Sequence, residues 1–225
     1  MQNITEPTGI ILDAEMLAPS ALRVVLLCDV VESVRWMEHD EDYAVSRWQA
    51  FTHQVRSTIV PEHGGSVVKS TGDGMMIEFA TARGAVQAAV SMHALAAQGN
   101  MQFDPSGQAP ERHLLLRTGI HETHARRDAH DIYGHGVNLV ARITTLAGPG
   151  ETIVTAAVRD HLTESLDGDI EDMGECYLKH VSEPQRVFRV GAGSTKAILI
   201  PVREYAEQLE PTIAIIPFES RAMAI

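Results

Sequence analysis

The sequence predicts an α/β domain in which a central sheet is covered on one or both faces by helices, and three observations predict it. Short runs rich in Val, Leu and Ile alternate along the chain with longer segments whose apolar residues recur at helical spacing. A glycine-bracketed turn, Gly72-Asp73-Gly74, joins two apolar runs and reads as a β-hairpin. No internal repeat or low-complexity tract interrupts the alternation between about residues 21 and 192.

Residues 1–20 have mixed polarity, end on Pro19-Ser20, and read as an N-terminal arm. The run from Arg23 to Val31 is long, continuous and Val/Leu-rich, as in a buried central strand. Asp29 stands at its end, where an ionised carboxylate is costly unless it is paired or metal-bound. Ala44, Trp48, Phe51, Val55 and Ile59 make one apolar stripe on a helix over 40–63, which Gly64-Gly65 stops. The hairpin follows, with Asp73 at its tip and little apolar cover to draw the carboxylate inward. On the residues alone, a helix cap for Asp29 and an Asx turn for Asp73 remain open alternatives to cation binding.

An alanine-rich helix is expected over 81–97, a surface loop over 99–111, and a strand over 113–121 centred on Leu114-Leu115-Leu116. A further helix runs from Val137 to about Leu146 and ends at Gly148-Pro149-Gly150. Residues 151–155 read as a strand, 156–166 as a helix, and 175–190 as a closing hairpin around Ser182-Glu183-Pro184. Residues 193–225 differ in character and read as a tail or the start of a further domain.

The formal net charge of −12 excludes a non-specific nucleic-acid binder and a surface that docks on anionic lipid, since both need clustered Lys and Arg. Only Cys28 and Cys176 are present, which argues against a disulfide framework and fits a reducing compartment. No apolar run reaches the roughly 18 residues of a membrane helix, and the N-terminus lacks a signal peptide's pattern, so a cytoplasmic location is expected. His121-Glu122-Thr123-His124 has the wrong spacing for the helical zinc motif, and no Walker phosphate loop is present.

Five short motifs in order carry a family resemblance: Leu27-Cys28-Asp29-Val30, Lys69-Ser70-Thr71-Gly72-Asp73-Gly74, Asp131-Ile132-Tyr133-Gly134, Val137-Asn138-Leu139-Val140-Ala141-Arg142, and Tyr177-Leu178-Lys179 before Glu183-Pro184. Together they resemble the class III nucleotidyl cyclase catalytic domain, the adenylate and guanylate cyclase family, over about residues 21–192. The resemblance implies a ferredoxin-like cyclase fold with a central, mostly antiparallel sheet flanked by helices. It implies a phosphorus–oxygen lyase that converts ATP to 3′,5′-cyclic AMP and pyrophosphate. The implied cofactors are two divalent cations, Mg²⁺ or Mn²⁺, held by Asp29, Asp73 and the backbone carbonyl of Val30. Lys69 and Asp131 match the base-reading pair, a donor to adenine N1 and an acceptor from its exocyclic amine, so ATP is favoured over GTP. Asn138 matches the residue that orients the ribose, Arg142 the guanidinium at the α-phosphate, and Lys179 the lysine that reaches the triphosphate.

The resemblance further implies a C2 homodimer whose two sites are shared, each taking its cations from one chain and its base-reading and arginine groups from the other. The sequence departs from the family pattern in three places. Glu32-Ser33-Val34 replaces the usual glycine, aromatic and Ser/Thr of a phosphate-cradling turn, Thr123 stands where glycine is common, and His135 where an acid is frequent. The alternative these departures raise is a catalytically weak or inactive nucleotide-binding and dimerisation module. A guanylate cyclase is disfavoured by Lys69 and Asp131, and a diguanylate cyclase by the missing second acid of its hairpin signature.

Overall fold

In the computed structural model, residues 19–128, 130–162 and 170–191 are described. The expected N-terminal arm, apart from Pro19 and Ser20, and the tail from 193 lie outside the described residues. The chain opens on β1 (Ala21–Val30), followed by α1 (Ser33–His39) and α2 (Glu41–Gln54). A π-helical turn over Val55–Ile59 carries α2 into α3 (Val60–Glu62), then come β2 (Gly65–Ser70), β3 (Gly74–Phe79) and α4 (Ala82–Phe103). After β4 (Leu116–Arg127) follow β5 (Ile132–Tyr133), α5 (His135–Thr144), β6 (Thr152–Thr155), α6 (Ala156–Asp160), β7 (Ile170–Cys176) and β8 (Gln185–Val190).

The first part of this order is a βαββαβ unit whose strands lie as β2-β3-β1-β4, all neighbours antiparallel, which is the ferredoxin-like arrangement. The sheet continues through β6, β8 and β7, with β4 and β6 parallel and the remaining pairs antiparallel. Alternation on β1 assigns its two faces. Val24, Leu26, Cys28 and Val30 are buried in a cluster with residues of α1, α2, α4 and α6, while Val25 packs beneath α5 with Ile132, Val140 and Ile143. Helices therefore cover one face broadly, and α5 covers part of the other.

Several elements start or stop away from their sequence-based limits, each for a local reason. Leu114 is buried, but its backbone is satisfied by the Asn100 side chain, whose Nδ2 donates to Leu114 O at 3.0 Å and whose Oδ1 accepts from Leu114 N–H at 2.9 Å. The strand expected at 113 thus begins at Leu116, and it runs on to Arg127 because β1 pairs along it as far as Ala125 and β5 pairs with Arg126 and Arg127. That same Asn100 lies on α4, which extends to Phe103, beyond the expected end at 97. The helix expected over 137–146 starts two residues earlier, at His135. The helix expected over 156–166 ends at Asp160, with residues 163–169 outside the described residues, and the closing hairpin is wider than expected because β7 starts at Ile170. Among the described residues no helix is long and apolar enough to cross a membrane.

Two packing details fix the layers. Gly119 of β4 lies against the end of α5, where an added Cβ would stand 2.3 Å from Thr144 Oγ1 and 2.8 Å from its backbone N. A second contact joins α4 to the parallel β4–β6 pair: Thr118 and Thr152 hydroxyls lie 2.7 Å apart, with His93 Nε2 at 3.3 and 3.2 Å. Burial pushes the His93 imidazole down to about 4, against a small upward pull from the Glu151 backbone.

Two outcomes follow from these contacts. Gly119→Val should lower stability by about 1–3 kcal/mol, because backbone rather than a flexible side-chain end must yield, and the midpoint of urea unfolding checks it. For His93, the unfolded chain takes up a proton near 6.5 while the folded one resists until about 4, so stability falls as pH drops through that window. His93→Gln should flatten the fall, read as unfolding midpoint against pH.

Candidate active site

Asp29 is the last but one residue of β1 and shares a sheet face with Arg23, Val25 and Leu27. It lies opposite Gly74 of β3 on one side and Arg117 of β4 on the other. Arg117 donates to Asp29 Oδ2 through Nε at 2.9 Å and Nη2 at 2.5 Å, a charge-assisted pair on one oxygen of the half-buried carboxylate. The Val30 N–H donates to the carbonyl of Asp73 at 3.0 Å, so the end of β1 and the hairpin tip are bonded neighbours. A Cβ built on Gly74 would stand 2.8 Å from Cys28 O and 3.7 Å from Asp29 Oδ1, and this close approach is why a glycine follows Asp73. Gly72, on the other side, has φ of 79°. The tip is pinned from outside by Trp48, whose indole N–H donates to Gly72 O at 2.8 Å while its ring stacks on Phe51.

Ser33 donates its hydroxyl to Asp73 Oδ2. Ser33 opens α1 because Glu32 before it turns the chain with φ of 51°, a left-handed conformation that costs a side-chain-bearing residue about 1 kcal/mol or more. A glycine at this position would adopt it freely. Glu32 itself is exposed and reaches Arg35 at 3.4 Å.

A second group of residues surrounds β2 and α5. The β2–β3 register shifts between Val67 and Lys69, a bulge that brings Lys69 opposite Met76 and onto the same sheet face as Asp29. Lys69 Nζ meets Asp131 Oδ2 at 2.6 Å, and Asp131 Oδ1 also accepts from Ile132 N–H at 2.7 Å. Partial burial pushes the Asp131 carboxyl up, but the Lys69 and Ile132 hydrogen bonds and the Lys69 charge outweigh it and hold it below the usual carboxylate range. Asn138 and Arg142 are exposed one turn apart on α5, and their side chains make no hydrogen bond or ion pair among the described residues. Lys179 is exposed in the β7–β8 link beside His180, at the opposite edge of the sheet from β2. On the α5 side, His121 Nδ1 lies 3.0 Å from Thr155 Oγ1, and burial together with nearby His135 pushes its imidazole down to about 4.

The structure thus brings Asp29, Val30 and Asp73 together at one end of β1, and Lys69 with Asp131 elsewhere on that face. It does not bring Asn138, Arg142 or Lys179 into contact with either group through any hydrogen bond or ion pair among the described residues. Among the described residues no three His, Cys, Asp or Glu side chains are placed to hold a metal ion. The donors at Asp29 and Asp73 are all oxygen, however, and neither Oδ1 makes a hydrogen bond among the described residues, a set that suits a hard divalent cation completed by substrate oxygens. His121 and His124 fall on opposite faces of β4 and cannot chelate one ion together. Sequence reasoning missed Arg117, Ser33 and the indole N–H of Trp48. Only a known strand register would have placed Arg117 opposite Asp29.

The family described as the adenylate and guanylate cyclase catalytic domain matches residues 23–191. The chain belongs to this family. A protein of Rhizobium meliloti (strain 1021) named "Putative adenylate cyclase 3" is 30% identical over 203 residues, which is 88% of this chain but 34% of that protein. The chain therefore spans about a third of that relative's length. A protein of Glutamicibacter nicotianae named "Adenylate cyclase" is 33% identical over 100 residues, 44% of this chain and 22% of its own. Among solved structures, an adenylate/guanylate cyclase/hydrolase from Silicibacter pomeroyi has a TM-score of 0.69 at 25% identity, covering 77% of this chain and 98% of that one. The adenylyl cyclase CyaB from P. aeruginosa shares the fold, with a TM-score of 0.67 at 19% identity over 77% of this chain and 96% of its own.

Replacing Glu32 by glycine removes the left-handed strain, so the variant should be as stable as the parent or more stable by up to about 1 kcal/mol. Chemical denaturation measures this, and a clear loss of stability would show that the Glu32 side chain contributes more than its backbone costs.

Proposed function

We propose that this chain is the catalytic domain of an adenylate cyclase, forming 3′,5′-cyclic AMP and pyrophosphate from ATP in a homodimer with two shared sites. The observation that carries the reading is the juxtaposition of Asp29 and Asp73, two carboxylates with one unengaged oxygen each, on a chain whose Asn138–Arg142 face is exposed and unpartnered. Asp29, Asp73 and the Val30 carbonyl would hold a pair of divalent cations, Mg²⁺ or Mn²⁺, whose chemistry when bound is to acidify the ribose 3′-hydroxyl and neutralise the triphosphate.

The other roles fall to side chains of the partner copy. Lys69 donates to adenine N1 and Asp131 accepts from the 6-amino group, and their contact at 2.6 Å keeps both polar ends together before the base arrives. Guanine presents the opposite pattern, a ring N–H and an exocyclic carbonyl, and would leave both groups mismatched. Asn138 orients the ribose for in-line attack on the α-phosphorus, and Arg142, one turn further along α5, stabilises the charge that develops there as pyrophosphate leaves. Lys179 offers a further cation to the triphosphate.

One observation favours a second reading, a catalytically weak nucleotide-binding and dimerisation module: Glu32 places an additional carboxylate at the turn that begins α1, beside the triphosphate's expected path. Activity that rises in Glu32→Gly would identify a damped enzyme, and nucleotide binding without turnover in both proteins would identify the module.

Asp73→Ala should lose cyclic AMP formation at least a thousandfold while keeping its thermal midpoint within a few degrees, since a turn-tip carboxylate contributes little to the core. Mixing Asp73→Ala with Arg142→Ala should restore about a quarter of the parental activity, because half the dimers would be mixed and each mixed dimer would hold one intact site. Failure of the mixture to recover, with dimers demonstrated by light scattering, would exclude shared sites. In competition, ATP should be turned over in strong preference to GTP.

A further inference from the structure

The two carboxylates of the candidate site have protein partners of opposite character. Asp29 faces a full positive charge, with Arg117 Nε at 2.9 Å and Nη2 at 2.5 Å, both on Oδ2. Asp73 faces a neutral donor, the Ser33 hydroxyl, also on its Oδ2. In each case the second oxygen is left without a hydrogen bond among the described residues, and Asp29 Oδ1 lies on the side of Gly74, the residue after Asp73.

We propose that these partners set the site's affinity for divalent cations in opposite directions, Arg117 acting as a counter-ion that a cation must compete with at Asp29, and Ser33 as a positioning residue that orients Asp73 to bind one. The inference rests on the cyclase reading, because it takes Asp29 and Asp73 as cation ligands. It goes beyond that reading in assigning a function to Ser33, which stands in the turn where this chain departs from its family's pattern.

The signs follow from charge. A guanidinium on Asp29 already supplies what a cation would supply, and it repels a second positive charge a few ångströms away; removing it should tighten cation binding about tenfold. The serine hydroxyl carries no net charge. It engages one oxygen of Asp73, fixes the carboxylate plane and leaves the other oxygen to coordinate, and losing such a support typically weakens a metal site about 10–100-fold. The left-handed turn at Glu32 is what delivers Ser33 to this position as the first residue of α1.

The test is a titration of the full chain with Mn²⁺ in the absence of nucleotide, following free Mn²⁺ by electron paramagnetic resonance. Asp73→Asn identifies the site as the binding that it abolishes. Arg117→Gln should bind Mn²⁺ about tenfold more tightly, and Arg117→Lys, which keeps the charge, should stay within about threefold of the parent. Ser33→Ala should bind about 10–100-fold more weakly, with Ser33→Thr restoring parental affinity because it keeps the hydroxyl. Damage to the fold would weaken binding in both Arg117→Gln and Ser33→Ala, so opposite signs cannot come from misfolding. Unchanged affinity in Ser33→Ala, or weaker binding in Arg117→Gln, overturns the proposal while leaving the cyclase reading in place. A parent chain with no Mn²⁺ binding sensitive to Asp73 overturns both.

Discussion

In the ladder of β3, β1 and β4, Asp29 has Gly74 on one side and Arg117 on the other, and this register decides what the candidate site contains. A slip of one residue would turn every β1 side chain to the opposite face. Val24, Leu26, Cys28 and Val30 would leave the helix-covered core, where each is no more than 3% exposed, and Asp29 and Arg23 would enter it. The core beneath the helices thus holds the acid at the open face, although no core residue touches it. Lys69 reaches that face by a different device. Its strand is an edge with no buried side chain, and a bulge after Val67 resets the register before Lys69.

Legibility in the sequence followed the range of the interactions. Period-two runs, helical stripes and glycine-bracketed turns are local, and they gave the order of the main elements, though not α1 or β5, and marked both Asp29 and Asp73 before any strand was paired. What stayed hidden depends on pairing between distant segments. Arg117 and Asp29 are 88 residues apart, Ser33 and Asp73 are 40 apart, and nothing in either neighbourhood states the register that joins them. The same holds for the start of β4. Leu114 is apolar and buried, as its run suggests, but Asn100 supplies the hydrogen bonds that a strand neighbour would have supplied. Trp48 read as core and is 8% exposed, yet its indole N–H, invisible to a hydrophobic pattern, anchors the turn that carries Asp73.

The departures from the family pattern have structural counterparts. Thr123 stands where the resemblance implies a glycine, and its side chain fills the space beside the start of α5: a Cβ on Gly136 would stand 2.1 Å from Thr123 Oγ1. Bulk on the strand is therefore matched by its absence on the helix, and α5 keeps its seat against β4. At Glu32 no such exchange exists, since the left-handed backbone persists with a residue that is strained in it. Strain retained beside a candidate site is the kind of feature that function can maintain, and here its structural product is the placement of Ser33 on Asp73.

Charge sets the remaining requirement. Under the proposed cyclase reading, a chain of net charge −12 would have to meet a polyanionic nucleotide with cations placed one at a time. Of the four basic residues considered at the site, Arg117 is engaged by Asp29 and Lys69 by Asp131, so each is largely neutralised within its own chain. Arg142 and Lys179 have no such partner among the described residues, and both are exposed. Of these four, the two without an acidic partner thus lie on α5 and in the β7–β8 link, while the carboxylate oxygens left without a hydrogen bond lie at the end of β1 and the hairpin tip. A polyanion carrying divalent cations needs both kinds of surface at once. Bringing the α5 face of one copy against the β1 end of another would supply both, which is the physical argument for the shared site proposed above.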